Sequence, residues 1–191
     1  MRTFGSLLLC ATLFFTTRPT ESPRTVDVAH SSLRIRVYKT GLLSAFGHNH
    51  EIEAPLDAGE VVESGNLSVA LRVDARKLKV LDPEVVSDTR AQVQQTMQGP
   101  QVLDSVHFPE IRFESAKIEA KGENRWTVRG NLTLHGQNHP INFDVALSDR
   151  LYRGTATIKQ TDFGITPVSV AGGSVKVKDD VKVEFGIALR N

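Results

Sequence analysis

The sequence predicts an all-β protein, an extended antiparallel barrel carrying a single helix. Three observations carry that prediction. First, apolar residues occupy every second position through most of the chain. This is clearest in residues 125–147, where Trp126, Val128, Leu132 and Leu134 are followed by Ile141, Phe143, Val145 and Leu147. Successive side chains of a strand point to opposite faces, so this is strand period and not helical period. Second, the period changes only once, after Asp82-Pro83-Glu84. Third, eight or more strands with one apolar face each must bury those faces together. A closed barrel and a two-sheet sandwich both do so, and the barrel also removes exposed edges.

The elements follow in order. Residues 20–24 form a polar linker, after which Val26 and Val28, then Leu33, Ile35 and Val37, alternate with polar neighbours. Residues 41–47 (GLLSAFG) are apolar without alternation and carry glycine at both ends, which reads as a loop or bulge. Residues 48–54 and 58–63 read as short strands around Pro55. Leu67, Val69, Leu71 and Val73 make a strand, with Ser68, Ala70, Arg72 and Asp74 on its other face. Asp82, Pro83 and Glu84 then read as a helix start: a capping acid, a proline at the first helical position and an acid in the first turn. Val85, Thr89, Val93 and Met97 follow at spacing four with Val86 beside them, a helix of about four turns that Gly99-Pro100 ends. Its modest apolar stripe suits a barrel mouth or wall.

Strand signals resume over residues 110–119 with Ile111 and Phe113. They continue through the hairpin of residues 125–147, with residues 135–140 (HGQNHP) as its loop, and through residues 152–159. The closing pair is residues 174–178 and 181–190, where Val181, Val183, Phe185, Ile187 and Leu189 alternate with Lys182, Glu184, Gly186, Ala188 and Arg190. No repeat, low-complexity tract or internal linker divides the chain, so residues 21–191 read as one domain.

Composition bounds the function. Hydrophobic residues are 40% and charged residues 24%, with a formal net charge of +1, so no basic excess points to nucleic acid. Residues 1–20 stand apart. Arg2 precedes an apolar run (FGSLLLCATLFF) that Thr16, Thr17, Arg18 and Pro19 break. A run of about a dozen residues is too short to span a bilayer and fits a secretory signal, which predicts a periplasmic or secreted protein. Without this segment the chain carries 21 basic and 22 acidic residues. The only cysteine, Cys10, lies within it, and Leu9 before it disfavours a lipoprotein acylation site. The remaining chain therefore has no disulfide, thiolate ligand or cysteine nucleophile.

Several segments in this order resemble the YceI-like family of polyisoprenoid-binding proteins. They are residues 27–37, the turn Gly47-His48-Asn49-His50, the helix with Arg90, and Phe108-Pro109-Glu110-Ile111-Arg112-Phe113-Glu114-Ser115. Gly130-Asn131-Leu132-Thr133-Leu134-His135-Gly136 and Asp162-Phe163-Gly164-Ile165 complete the set. The resemblance covers roughly residues 26 to 190. It implies a lipocalin-like barrel in an exported bacterial protein, with a long isoprenoid in an elongated apolar channel. The Gly47–His50 turn is richer in histidine than the common family turn.

Candidate channel residues are those on the alternating face: Leu71, Val73, Phe113, Trp126, Val128, Leu132, Phe143, Val145, Ile158, Phe185 and Ile187. Any barrel core has such residues, so a filled core stays open beside a channel. His48, His50 and Arg90 are candidates for head-group contact at the mouth. His48 and His50, two apart on an extended segment, also give a second reading as metal ligands, with His30, His107, His135, His139 or a carboxylate completing the set. His135 and His139 read as loop histidines, solvated or bonded to backbone.

No G-x-S-x-G elbow, H-E-x-x-H pair or phosphate loop is found, and Asp162-Phe163-Gly164 lacks the other kinase elements. The expected function is non-catalytic binding, sequestration or transport of a polyisoprenoid or isoprenoid quinone. An enzyme acting on a bound isoprenoid is the third reading. The expected partner is thus a lipophilic small molecule, with no cofactor required and no nucleic acid. Transient membrane contact and a homodimer stay open.

Overall fold

A computed structural model of the chain describes residues 22–41, 49–170, 172 and 174–190. Among them the strands are β1 (Arg24–Thr25), β2 (Ser32–Thr40), β3 (His50–Glu53), β4 (Leu56–Val62), β5 (Ser68–Asp74) and β6 (Lys79–Val80). After helix α1 (Ser87–Gln98) come β7 (Glu110–Gly122), β8 (Arg125–Leu134), β9 (Gln137–Ser148), β10 (Leu151–Lys159), β11 (Ser169–Val170) and β12 (Val175–Ile187). All pairings are antiparallel and belong to one sheet.

At one end the sheet closes into a ring. The path β4-β5-β7-β8-β9-β10-β12 is joined by β1, which pairs with β4 on one side. On the other side Val26 bridges Leu189 just beyond β12. Three backbone bonds hold the joint: Val26 N to Gly59 O (2.8 Å), Asp27 N to Ala188 O (2.9 Å) and Arg190 N to Thr25 O (2.9 Å). Val26 is 1% exposed, a short strand inserted between two long ones. The opposite end splays. There β12 pairs with β2, which continues through β3 to β6, and β10 pairs with β9 only from Leu151↔Ser148 to Thr155↔Asp144.

Bulges keep the apolar face inward. Register shifts between Leu56 and Ala58 in β4 and between Ser115 and Lys117 in β7 each change which parity faces the interior, whereas the shift between Val177 and Val181 in β12 inserts two residues and keeps it. Leu56 and Val61, and likewise Phe113 and Ile118, therefore line the same cavity. The expected closing pair, 174–178 and 181–190, is accordingly one strand. Its alternation breaks at a bulge and not at a turn.

Two boundaries differ from expectation. The helix is present but begins at Ser87 and not at Asp82. Residues 82–85 form a turn, with Val85 N bonded to Asp82 O at 3.0 Å, and Asp82 has φ 22°. The Asp82 carboxylate is engaged elsewhere and does not cap the helix. The hairpin loop is also shorter than residues 135–140. His135 (φ 50°) and Gly136 (φ 70°) make a two-residue turn of the type that suits strand twist. His139 and Pro140 are in β9, opposite Leu132 and Asn131. Pro140 is tolerated because β10 has already parted from β9 there, so its missing N–H costs no ladder bond.

Helix α1 covers the splayed end. Gln94 bridges to the edge of the sheet: its Oε1 accepts from Val80 N (2.7 Å) and its Nε2 donates to Leu78 O (2.8 Å). Gln98 Nε2 donates to Arg76 O (2.9 Å). Two side chains thus satisfy an edge that would otherwise be open. Met97 is buried beneath, in one core cluster with Leu78, Leu103 and Ile165.

Candidate functional site

The inward face of the barrel encloses a cavity of about 280 Å³, near the lower end of ligand-pocket sizes. All eleven candidate channel residues line it. The sheet brings them together from β5, β7, β8, β9, β10 and β12. Sequence reading missed the contributions of β2, β3 and the helix cap: Leu33, Ile35, Ile52, Leu78, Met97 and Leu103 also line it. The β2 and β3 residues carry the same alternation, but only topology shows that these strands fold over the same lumen.

Three phenylalanines explain why a lumen remains. The rings of Phe113 and Phe143 lie 5.3 Å apart, as do those of Phe143 and Phe185. They form a belt across β7, β9 and β12. Phe113 lies over Gly130 of β8: a Cβ built there would sit 2.5 Å from its Cζ. Phe185 lies over Gly154 of β10, 2.4 Å from the corresponding position. Both glycines are inward positions where the alternating pattern lacks a bulky residue. Each leaves a hollow into which a neighbouring ring lies flat against the wall.

The wall is hydrocarbon except at its two ends. Near the closed end, Tyr152 Oη donates to Glu63 Oε1 and Arg24 Nη1 donates to Glu63 Oε2. The Tyr152 ring packs against Trp126 at 5.7 Å. Burial raises the Glu63 carboxyl, but the Tyr152 hydroxyl and Arg24 outweigh it, and the net shift is below the ordinary value. Burial, then the bond to Glu63, pushes Tyr152 up to about 12. Glu63 follows Gly59 and Val61 at alternate positions, so an acid on an apolar face was the available signal. Toward the splayed end Gln160 lines the cavity, its Nε2 donating to Lys178 O at 2.8 Å.

The expected mouth residues gather elsewhere. His48 lies outside the described residues. His50 Nδ1 is 2.6 Å from Asp82 Oδ2, and Glu51 N donates to Asp82 Oδ1 at 2.8 Å. Arg90 Nη1 donates to the Asp82 carbonyl at 3.4 Å. His50 and Arg90 therefore meet at one buried aspartate, 3% exposed, at the root of the helix. Neither lines the cavity. This polar knot fixes the turn before α1, and it explains why Asp82 does not act as a cap.

The other histidines are held locally. His30 pairs with Asp27 at 2.8 Å and His107 with Asp104 at 2.9 Å, both near the surface. His135 Nδ1 meets Phe163 O at 3.1 Å, and its ring packs on Phe108 at 4.8 Å. His139 packs on Phe163 at 5.3 Å. Both are thus packing residues of the splayed end. Among the described residues, no group of three or more His, Cys, Asp or Glu could hold a metal ion.

Fold and site together define a small antiparallel β-barrel with an apolar interior cavity and a polar rim. The family model for the YceI-like domain matches residues 25–189, and the chain belongs to that family. A UPF0312 protein of Vibrio cholerae serotype O1 is 27% identical over 168 residues, 82% of each chain. A UPF0312 protein of Pseudomonas syringae pv. syringae is 28% identical over 107 residues, 50% of this chain and 56% of the other. The crystal structure of Burkholderia cenocepacia BcnA superposes with a TM-score of 0.64 at 18% identity, covering 87% of this chain and 99% of that one. That last similarity concerns the fold.

Proposed function

We propose that the protein binds a long-chain apolar amphiphile, a polyisoprenoid or isoprenoid quinone, and carries it without chemical change. The observation that supports this most directly is the cavity itself, with an almost wholly hydrocarbon wall and a polar group at each end. Each methylene taken from water contributes about 0.8 kcal/mol, so one five-carbon isoprene unit contributes roughly 4 kcal/mol. Association and ordering cost about 4–15 kcal/mol. One unit barely offsets that cost and several exceed it, which favours long tails. Such tails do not stay dissolved in water, and a carrier outside the membrane suits the export signal read from residues 1–20.

The test is native mass spectrometry with organic extraction on the full chain expressed in a bacterium with its own leader and recovered from the periplasm. The expected result is a co-purifying lipid with an isoprenoid fragmentation series. Protein that yields no lipid and takes up no added quinone or polyprenol would refute the reading.

A further inference from the structure

The described wall of the cavity carries charge of one sign. Among the described lining residues there is no lysine, arginine or histidine, whereas Glu63 contributes a carboxylate. Glu63 faces two ways, since it lines the cavity while its side chain remains 30% exposed beside Arg24. Its two oxygens accept from Arg24 and Tyr152, and each retains a lone pair. The Tyr152 hydroxyl directs its proton to Glu63, so what it can offer inward is also an acceptor. Trp126, packed on Tyr152, supplies an apolar platform at the same rim.

From this geometry we infer that the rim formed by Glu63, Tyr152 and Trp126 selects a ligand whose head is a hydroxyl that donates a hydrogen bond, and discriminates against anionic heads. The inference rests on the proposed lipid-binding function and narrows the ligand class. A prenyl alcohol or a hydroquinone meets an unused acceptor on a carboxylate that Arg24 and Tyr152 already hold in place. A phosphate or fatty-acid carboxylate meets a like charge where no described lining residue supplies a counter-ion, and a charge moved out of water needs one. The Arg24 guanidinium does not reverse this, because Glu63 already accepts from it and it does not line the cavity. At the other end Gln160 is neutral and bonded to backbone, so it adds no cationic site.

The test uses the full chain and ligands matched in tail length: a polyprenol, its monophosphate, a prenylated hydroquinone and the unsubstituted polyene hydrocarbon. Dissociation constants are measured for wild type, Glu63→Gln and Tyr152→Phe. A hydrogen bond to a charged group implies a preference for the hydroxyl heads over the hydrocarbon of roughly tenfold or more. The monophosphate should bind more weakly than the polyprenol by at least as much. Glu63→Gln should collapse the alcohol-over-phosphate preference while hydrocarbon binding stays at the wild-type level, which also reports that the barrel is intact. Tyr152→Phe, which frees a Glu63 oxygen without removing the charge, should preserve the exclusion of phosphate. The relative affinity of polyprenol and hydroquinone identifies the source of the hydroxyl. Equal binding of alcohol and phosphate, or a preference unchanged by Glu63→Gln, overturns this inference and leaves the lipid-binding reading standing. Failure of all four ligands, hydrocarbon included, overturns both.

Discussion

Replacing Gly154 with alanine tests the arrangement on which the lumen depends. An added Cβ would sit 2.4 Å from Cζ of Phe185 and 2.5 Å from the carbonyl oxygen of Asp144. The first contact could be relieved by lifting the ring off the wall. The second is backbone of the paired strand β9, and it cannot yield without opening the ladder. Where no strain arises, glycine to alanine stabilises by about 0.4–1 kcal/mol through the unfolded chain. Overpacking of this kind costs about 1–3 kcal/mol, for a net loss of roughly 1–2 kcal/mol. For a chain of this length that is a fall of roughly 2–8 °C in Tm. Gly186→Ala is the control. Its nearest neighbour would be Ser32 Oγ at 3.4 Å, ordinary contact, so Tm should hold or rise slightly. Calorimetry on both variants decides the matter, with lipid uptake measured in parallel because a lifted Phe185 ring narrows the lumen. If Gly154→Ala melts at or above wild type, Phe185 does not lie on Gly154 and the account of the cavity fails.

Three further perturbations address separate parts of the molecule. His50→Ala removes a partner from the buried Asp82 carboxylate and should cost about 1–3 kcal/mol in urea unfolding; the double variant with Asp82→Ala should recover part of that loss, and strictly additive losses would show that the two do not interact. Gln94→Ala strips Val80 N and Leu78 O of their partner and should cost about 1–2 kcal/mol, seen as faster amide exchange confined to residues 78–80; uniform exchange would count against the bridging role. Asp74, hydrogen-bonded by the Arg76 side chain, is held down to about 2 from the ordinary 3.8. A depressed carboxyl contributes stability that is complete above the unfolded value and lost as pH falls through the folded one, so Asp74→Asn should flatten the stability profile between roughly pH 4 and pH 2. An unchanged acid limb in that variant would contradict the assignment.

The inward face was legible because strand period reports burial directly. Each of the eleven residues read from alternation lies on the cavity wall, since on a one-faced sheet the apolar parity has only one place to go. Its breaks were less legible. A missing bulky residue at 130 or 154 looks like noise in one strand, and gains meaning only when Phe113 or Phe185 is seen across the ladder. Local chemistry misled at Asp82. An acid before proline and glutamate is a sound helix signal, yet the tertiary bond to His50, 32 residues earlier in the chain, takes the carboxylate away. Residues 135–140 misled for a related reason. Proline and glycine near each other suggest a long loop, while the actual turn needs only His135 and Gly136, and Pro140 fits where β9 has lost its neighbour. Glu63 and Tyr152 belong to different hairpins, and their bond spans 89 residues.

An eight-stranded ring is a size at which interior side chains ordinarily just fill the space. Twelve described strands contribute to this sheet, but at the closed end the circuit is β1-β4-β5-β7-β8-β9-β10-β12, which has that size. The inward residues here are large, and by volume alone they would be expected to meet at the axis. They do not, because the bulkiest lie along the wall over positions that have no side chain. The ring of Phe185 occupies the hollow of Gly154, Phe113 occupies that of Gly130, and Phe143 lies between them, edge to face with Phe185 and tilted against Phe113. Placing the same rings opposite alanine or valine would direct them to the axis and convert the interior into a core. Whether the interior is a cavity or a filled core is thus set less by which apolar residues are present than by where the two strand glycines stand relative to them.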